Sequence, residues 1–217
     1  MTSPARPGAR KRLAVSAAGS TRRSAVSRSD GLTIRPISPE DREQFVEGFE
    51  RLGQRSRYRR FLSPHERLSP AELRYLIEVD HHDHEALVAI DPETNEGVGV
   101  ARFVRSKTDP SVAELAVAVV DDWQGQGVGS RLVGALADRA RAEAISSFSA
   151  LVLADNELML NLLRDLGRVR IVHAELGTVE LSVELAETGL GHLTPLLRRI
   201  ASGEITPLGH TPAGPEP

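Results

Sequence analysis

The sequence contains no cysteine, which excludes a disulfide framework, a thiolate zinc site and cysteine nucleophilic catalysis. Lysine is nearly as scarce, since only Lys11 and Lys107 among 27 basic residues are lysines. That skew matches a general bias toward arginine, alanine and glycine and carries no functional reading. No apolar run approaches the ~20 residues of a membrane span, so the chain reads as soluble and cytoplasmic, with no membrane partner. What remains is 217 residues, 40% of them hydrophobic. This is enough to bury one good core, and the length indicates one domain with tails.

Acidic residues are missing from positions 1–29, which carry seven basic side chains (Arg6, Arg10, Lys11, Arg12, Arg22, Arg23, Arg28) among Ser, Ala and Pro. Such a segment cannot bury enough apolar surface to offset chain entropy, so 1–29 reads as a disordered basic arm. Weak contact with nucleic acid or an anionic membrane is open to it, as is a merely solvated tail. It is Arg/Ser-rich like a transit peptide but lacks an amphipathic helix, and Leu13–Ala18 is too short for a secretory segment. Removing its +7 from the net charge of −3 leaves −10 for the rest. The folded part is therefore acidic, and no nucleic acid is expected as its partner.

Leu32–Ile37 alternates like a strand, and Ser38-Pro39-Glu40-Asp41 supplies an N-cap, a proline at the first helical position and early acids, so a helix is expected to about Leu52. Gln54–Leu62, basic and aromatic, reads as a connection. Ser69-Pro-Ala-Glu72 is a capping box that opens a second helix to about Val79. Asp80-His81-His82-Asp83-His84-Glu85 has the composition of a metal site, but no regular element makes the three histidines converge; a polar turn is the alternative. Strands are expected at Ala86–Ile90 and Val98–Arg105 as a hairpin. Another strand follows at 148–153, a helix from Asp155-Asn156 to a stop at Gly167, and strands at 170–175 and 178–184. Residues 187–201 hold a helical pattern, and 202–217 form a Pro/Gly tail expected to be disordered.

At the centre lies AELAVAVVDDWQGQGVGSRLVGALADRA, residues 113–140. It reads as an apolar strand, a glycine turn and a helix with Leu132, Val133, Leu136 and Ala137 on one face. Glycines 125, 127 and 129 let the backbone approach a ligand closely, and the helix start offers unpartnered N–H groups and a favourable dipole. A phosphate or pyrophosphate is the natural guest, and tight packing is the alternative use of such a turn. Neither the P-loop nor the Rossmann spacing fits.

The pattern that does fit is Q/R-x-x-G-x-G/A, here Gln124, Gly127 and Gly129. On this turn the sequence resembles the GCN5-related N-acetyltransferase (GNAT) superfamily, which holds the pyrophosphate of acetyl-coenzyme A (acetyl-CoA) there. The expected order β-α-α-β-β-β-α-β-α-β-β agrees with that fold over residues 30–186. The fold expected is α/β, a central mixed, mostly antiparallel twisted sheet of about seven strands flanked by about four helices. The phrases SRYRRFLSP, ELRYLIEVDHHDHEAL, GVARFVR and DNELMLNLLRDLG further resemble the catalytic domain of bacterial protein lysine acetyltransferases of the Pat type. Some of those carry a fused cyclic-nucleotide-binding or other regulatory domain, for which no room is expected here.

The resemblance implies roles residue by residue. Glu114 matches the general base, and its apolar sequence neighbours would raise its pKa toward the working range. Val117, Ala118 and Val119 match the backbone positions that bind the pantetheine arm and polarise the thioester. Gly125, Gln126, Gly127, Val128, Gly129 and Ser130 match the pyrophosphate cradle, and Asn156 matches an asparagine that contacts the coenzyme, though it could equally be a helix cap. The pattern departs at the tyrosine that protonates the leaving thiolate in many such enzymes, because Leu163 stands there. Three functional readings follow: a protein lysine acetyltransferase, a small-amine acetyltransferase, and a non-catalytic acyl-CoA sensor. A wide cleft rimmed by Arg55, Arg57 and Arg60 would favour the first, and a narrow acidic pocket the second.

Overall fold

The computed structural model describes residues 28–186. The expected basic arm (save its last two residues), the C-terminal helix and the Pro/Gly tail lie outside them. A short 3-10 turn, Arg28–Gly31, leads into β1 (Thr33–Pro36). Helices α1 (Arg42–Glu50), α2 (Gln54–Phe61) and α3 (Pro70–Ile77) follow. Then come β2 (His84–Asp91), β3 (Glu96–Arg105), β4 (Val112–Val119), α4 (Val128–Ala142), β5 (Ser147–Leu153), α5 (Glu157–Leu166), β6 (Gly167–Glu175) and β7 (Thr178–Leu185).

The seven strands form one sheet in the order β1-β2-β3-β4-β5-β7-β6. Every pairing is antiparallel except β4 with β5. Two cores sandwich the sheet. On one face α4 buries Leu132, Val133 and Leu136 over Phe103 and Phe148, whose rings lie 6.2 Å apart. On the other, α3 brings Leu73 and Ile77 onto Ile37, Ala86, Val88 and Ile90. Strand β2 therefore faces apolar matter on both sides, which is why its sequence is a continuous apolar run rather than an alternation.

Local chemistry accounts for the element ends. Ser69 and Glu72 close their box in both directions, at 3.2 Å and 2.8 Å. Asp41, buried at the start of α1, takes a two-pronged ion pair from Arg35 of β1 at 2.7 and 2.5 Å. That guanidinium holds the Asp41 carboxyl below its ordinary range. Helix α5 ends at Gly167, where the backbone turns extended and a Cβ would stand 2.0 Å from the carbonyl oxygen of Glu184, so only glycine fits.

One element departs from expectation. Gln54–Phe61 is helical, which brings the helix count to five. It buries no residue fully and is held by side chains instead. Arg57 donates to the carbonyls of Glu50 and Glu66, both at 2.9 Å, and lies over the Phe49 ring. Phe61 stacks on His65 at 4.2 Å.

The histidine run does not converge. His81 Nδ1 meets the buried Glu85 at 2.7 Å, His82 meets Glu143, and His84 Nε2 accepts from Arg102 at 3.0 Å. Among the described residues, no group of three or more His, Asp or Glu side chains is arranged to hold a metal ion. Burial, reinforced by the Arg102 charge, pushes His84 down to about 4. The folded chain thus keeps His84 neutral where the unfolded chain, with a reference near 6.5, binds a proton. Stability contributed by this site is full above pH ~6.5 and is lost as pH falls toward 4. Melting temperature followed over that range should fall more steeply for the parent chain than for His84→Gln.

Candidate active site

Strands β4 and β5 share only three pairs, Val112 with Ser147, Ala113 with Phe148 and Glu114 with Ser149. Past that point β5 stays with β7 and β4 stays with β3, so a gap opens between them. Hydrogen bonds at both ends of the β3–β4 ladder fix which groups face it: Ser106 N–H donates to Val112 and Val120 N–H donates to Val98. Even-numbered residues of β4 are therefore bonded to β3, and Leu115, Val117 and Val119 turn their backbone groups into the gap. The alternating side chains place Glu114, Ala116 and Ala118 together on one sheet face.

The gap leads into the glycine turn. Gly125 (φ 70°) and Gly127 (φ 84°) occupy the left-handed region, where a Cβ is strained. Gly127 is the N-cap of α4, and no side chain caps that helix. The first N–H groups of α4, at Val128, Gly129 and Ser130, have no intrahelical partner and stand at the mouth of the gap, an arrangement that can hold an anion. Gln124 braces the turn through its Nε2, which approaches Ser56 Oγ (3.0 Å), Val119 O (2.9 Å) and Asp121 Oδ1 (3.1 Å).

A cavity of about 490 Å³ runs along this gap. It is walled by β4 from Glu114 to Val119, by Gly125, Gly127, Gly129 and Ser130, and by α2 and α5. Gln126 and Val128 do not line it: the Gln126 amide turns back onto the Asp122 carbonyl at 2.5 Å, and the Val128 side chain is buried in the core. Asn156 borders the cavity and also caps α5, accepting from Met159 N–H at 3.4 Å. A length of strand with unpaired amides, ending in an uncapped helix start, fits a ligand with an amide-bearing arm and a pyrophosphate.

A family model described as "Acetyltransferase (GNAT) domain" matches residues 31–169. The chain belongs to that family. It is 38% identical over 152 residues to "Acetyltransferase Pat" of Mycolicibacterium smegmatis, covering 70% of this chain and 45% of that protein. The chain thus spans less than half of that relative's length. Acetyltransferase PA5475 of Pseudomonas aeruginosa is 34% identical over 63% of this chain and 74% of its own. Among solved structures, the GNAT domain of S. lividans PAT superposes with a TM-score of 0.66 at 31% identity, over 72% of this chain and 93% of that one. The chain accordingly carries an N-acetyltransferase domain, for which acetyl-CoA is the acyl donor.

Two expectations about the site are corrected by the geometry. Glu114 is exposed rather than desolvated among apolar neighbours: it is the last residue of β4 paired with β5, and it borders the cavity. Arg57 is not on the rim but is tied inward, whereas Arg55 is exposed and pairs with Asp155 at 3.4 Å. Leu163 is buried in the core, and the α5 residues facing the cavity are Asn156, Leu158, Met159, Asn161, Leu162 and Asp165. None has a hydroxyl; the hydroxyls lining the cavity are those of Ser56 and Ser130. Sequence reading did not single out Arg102, a buried arginine within the apolar strand β3. A lone charge among Val100, Ala101 and Phe103 was its signal.

Gly127→Ala should cost only about 1 kcal/mol of stability, the strain of a left-handed alanine. It should weaken acetyl-CoA binding at least tenfold as the methyl group disturbs the cradle. Titration calorimetry beside a thermal melt separates the two effects.

Proposed function

We propose that this enzyme acetylates the ε-amine of lysine on a protein, with Glu114 as general base. The observation that carries the reading is the position of Glu114: an exposed carboxylate where β4 and β5 separate, at the open end of the acetyl-CoA cavity. A lysine side chain projecting from a large partner can reach such a group from outside. The similarity to Pat proteins supports the same acceptor.

Acetyl-CoA supplies an acyl group already activated as a thioester. A lysine amine, with a reference pKa near 10.4, is protonated at neutral pH and must lose a proton before it attacks. Glu114 receives that proton, directly or through one water. The backbone of β4 supplies the electrophilic assistance: the odd-numbered N–H of Val117 points into the gap, where it donates to the carbonyl oxygen as charge grows there. Val119 extends the row, and the methyl of Ala118 forms part of the wall. The N–H groups of Val128, Gly129 and Ser130 hold the pyrophosphate, and Asn156 orients α5 toward the coenzyme. No hydroxyl on α5 is needed, because a thiol with a pKa of about 8.5 leaves without a dedicated acid.

The small-amine alternative calls for an enclosed acidic pocket. The enclosed space beside β4 is instead apolar and carries Arg60 and Arg102.

Glu114→Gln should leave the acetyl-CoA Kd unchanged and lower turnover by about 10² or more; equal turnover at neutral pH sinks the assignment. For the acceptor, labelled acetyl-CoA incubated with the enzyme and a cell lysate should place label in protein, at lysine. Label confined to small molecules would overturn the reading.

A further inference from the structure

On the sheet face opposite α4, beneath α1, α2 and α3, lies a second cavity of about 70 Å³. At about one water per 10–15 Å³ of such space, it has room for roughly five heavy atoms. Its walls are largely apolar, with Phe45, Phe49, Phe61, Leu76 and Val88 among them. It adjoins the acetyl-CoA cavity: both are bordered by Leu52, Arg60, Phe61, Ala116 and Ala118. The β4 side chains at the junction, Ala116 and Ala118, are the smallest with a Cβ, and Glu114 follows on the same face.

The polar groups lining this space are Asp41, Gln44, Arg60 and Arg102. Asp41 is already neutralised by Arg35, and Gln44 uses its amide N–H on the Asn95 carbonyl. The two arginines differ. Arg102 is 3% exposed and donates only to a histidine ring nitrogen and to the Leu76 carbonyl, neither of which carries a negative charge. Arg60 is half-buried and lies over the Phe61 ring; the charge of Glu114 acts on it, but among the described residues no carboxylate comes within ion-pair distance. Burial lowers both guanidiniums, Arg102 to about 9, and their mutual repulsion adds to the shift of Arg102. A fully buried guanidinium with no carboxylate in contact, beside a half-buried one whose carboxylate neighbour Glu114 makes no ion pair with it, is unfavourable. A carboxylate placed between them relieves both, whereas an ammonium group is repelled.

We infer that this cavity receives the free carboxylate of a dicarboxylic acyl donor, a short diacid carried as its CoA thioester, of which succinyl-CoA is the four-carbon case. The inference rests on the acetyl-CoA cavity and widens the range of acyl groups that the same site transfers. With the thioester carbonyl at β4, the chain beyond it turns past Ala116 and Ala118, and its end meets Arg60 and Arg102 as a charge-assisted pair. The transfer itself is unchanged. The amine nitrogen bonds to the thioester carbon and the C–S bond breaks. One amine proton passes to Glu114, CoA departs as the thiolate and takes up a proton, and the distal carboxylate keeps its charge throughout.

Titration calorimetry with acetyl-CoA, butyryl-CoA and succinyl-CoA tests this, since butyryl and succinyl share four carbons and differ in the terminal carboxylate. The full chain should bind succinyl-CoA at least tenfold more tightly than butyryl-CoA. Arg102→Met should abolish that preference and keep acetyl-CoA binding within threefold. Succinyl-CoA binding no better than butyryl-CoA overturns the inference, as does an equal loss for all three ligands in an Arg102→Met chain that melts as the parent does. If that variant does not fold, the succinyl-to-butyryl ratio of the parent decides alone. Acetyl transfer to lysine is read separately from the labelled lysate, so failure of the acceptor reading and failure of this one are distinguishable.

Discussion

The parting of β4 from β5 after three paired residues is the constraint on which the rest of the molecule depends. An interior strand ordinarily spends its backbone groups on two neighbours, and buried groups left unpaired are costly. From Leu115 to Val119, β4 keeps one neighbour and offers its other edge to a ligand or to water. The chain then runs within a few residues through the glycine turn into α4, so the uncapped helix start stands at one end of the same opening. Strand edge and helix terminus are placed by one continuous segment. This is why a single stretch of sequence carries so much of the site.

The opening needs a stiff frame, and the two cores provide it. Phe103, Phe148, Leu132 and Leu136 lock α4 to one face, and Ile37, Leu73, Ile77 and Val88 lock α3 to the other. Buried charge tightens the frame at one corner. Glu85, fully buried at the start of β2, accepts from Arg139 of α4 at 3.0 Å and meets His81 at 2.7 Å. A carboxylate so placed is tolerated because its oxygens are engaged. The histidine run thus fastens a sheet corner, and its local density had no bearing on where its partners lay.

Much of the fold was legible because its signals are local. The Ser69–Glu72 box, the apolar strands and the turn from Gln124 to Gly129 are written in adjacent residues, and each forms where those residues stand. Helix α2 escaped notice because it lacks a buried stripe; its Arg57 is anchored by the carbonyls of Glu50 and Glu66, which neighbouring sequence does not reveal. The environment of Glu114 was misread for a related reason. Apolar neighbours along a strand describe its two faces in general, whereas the exposure of Glu114 comes from the cavity left open on its own face of the sheet. Arg60 and the buried Arg102 come from different elements, so only the folded chain brings them to one cavity.

The side-chain amide of Gln124 has two hydrogens and three acceptors within reach, on α2, on β4 and in the turn between β4 and α4. It has no arrangement that serves all three fully. Ser56 belongs to α2, the helix that presents Arg60, so one side chain fastens the wall shared by both cavities to the strand edge and to the turn that leads into α4.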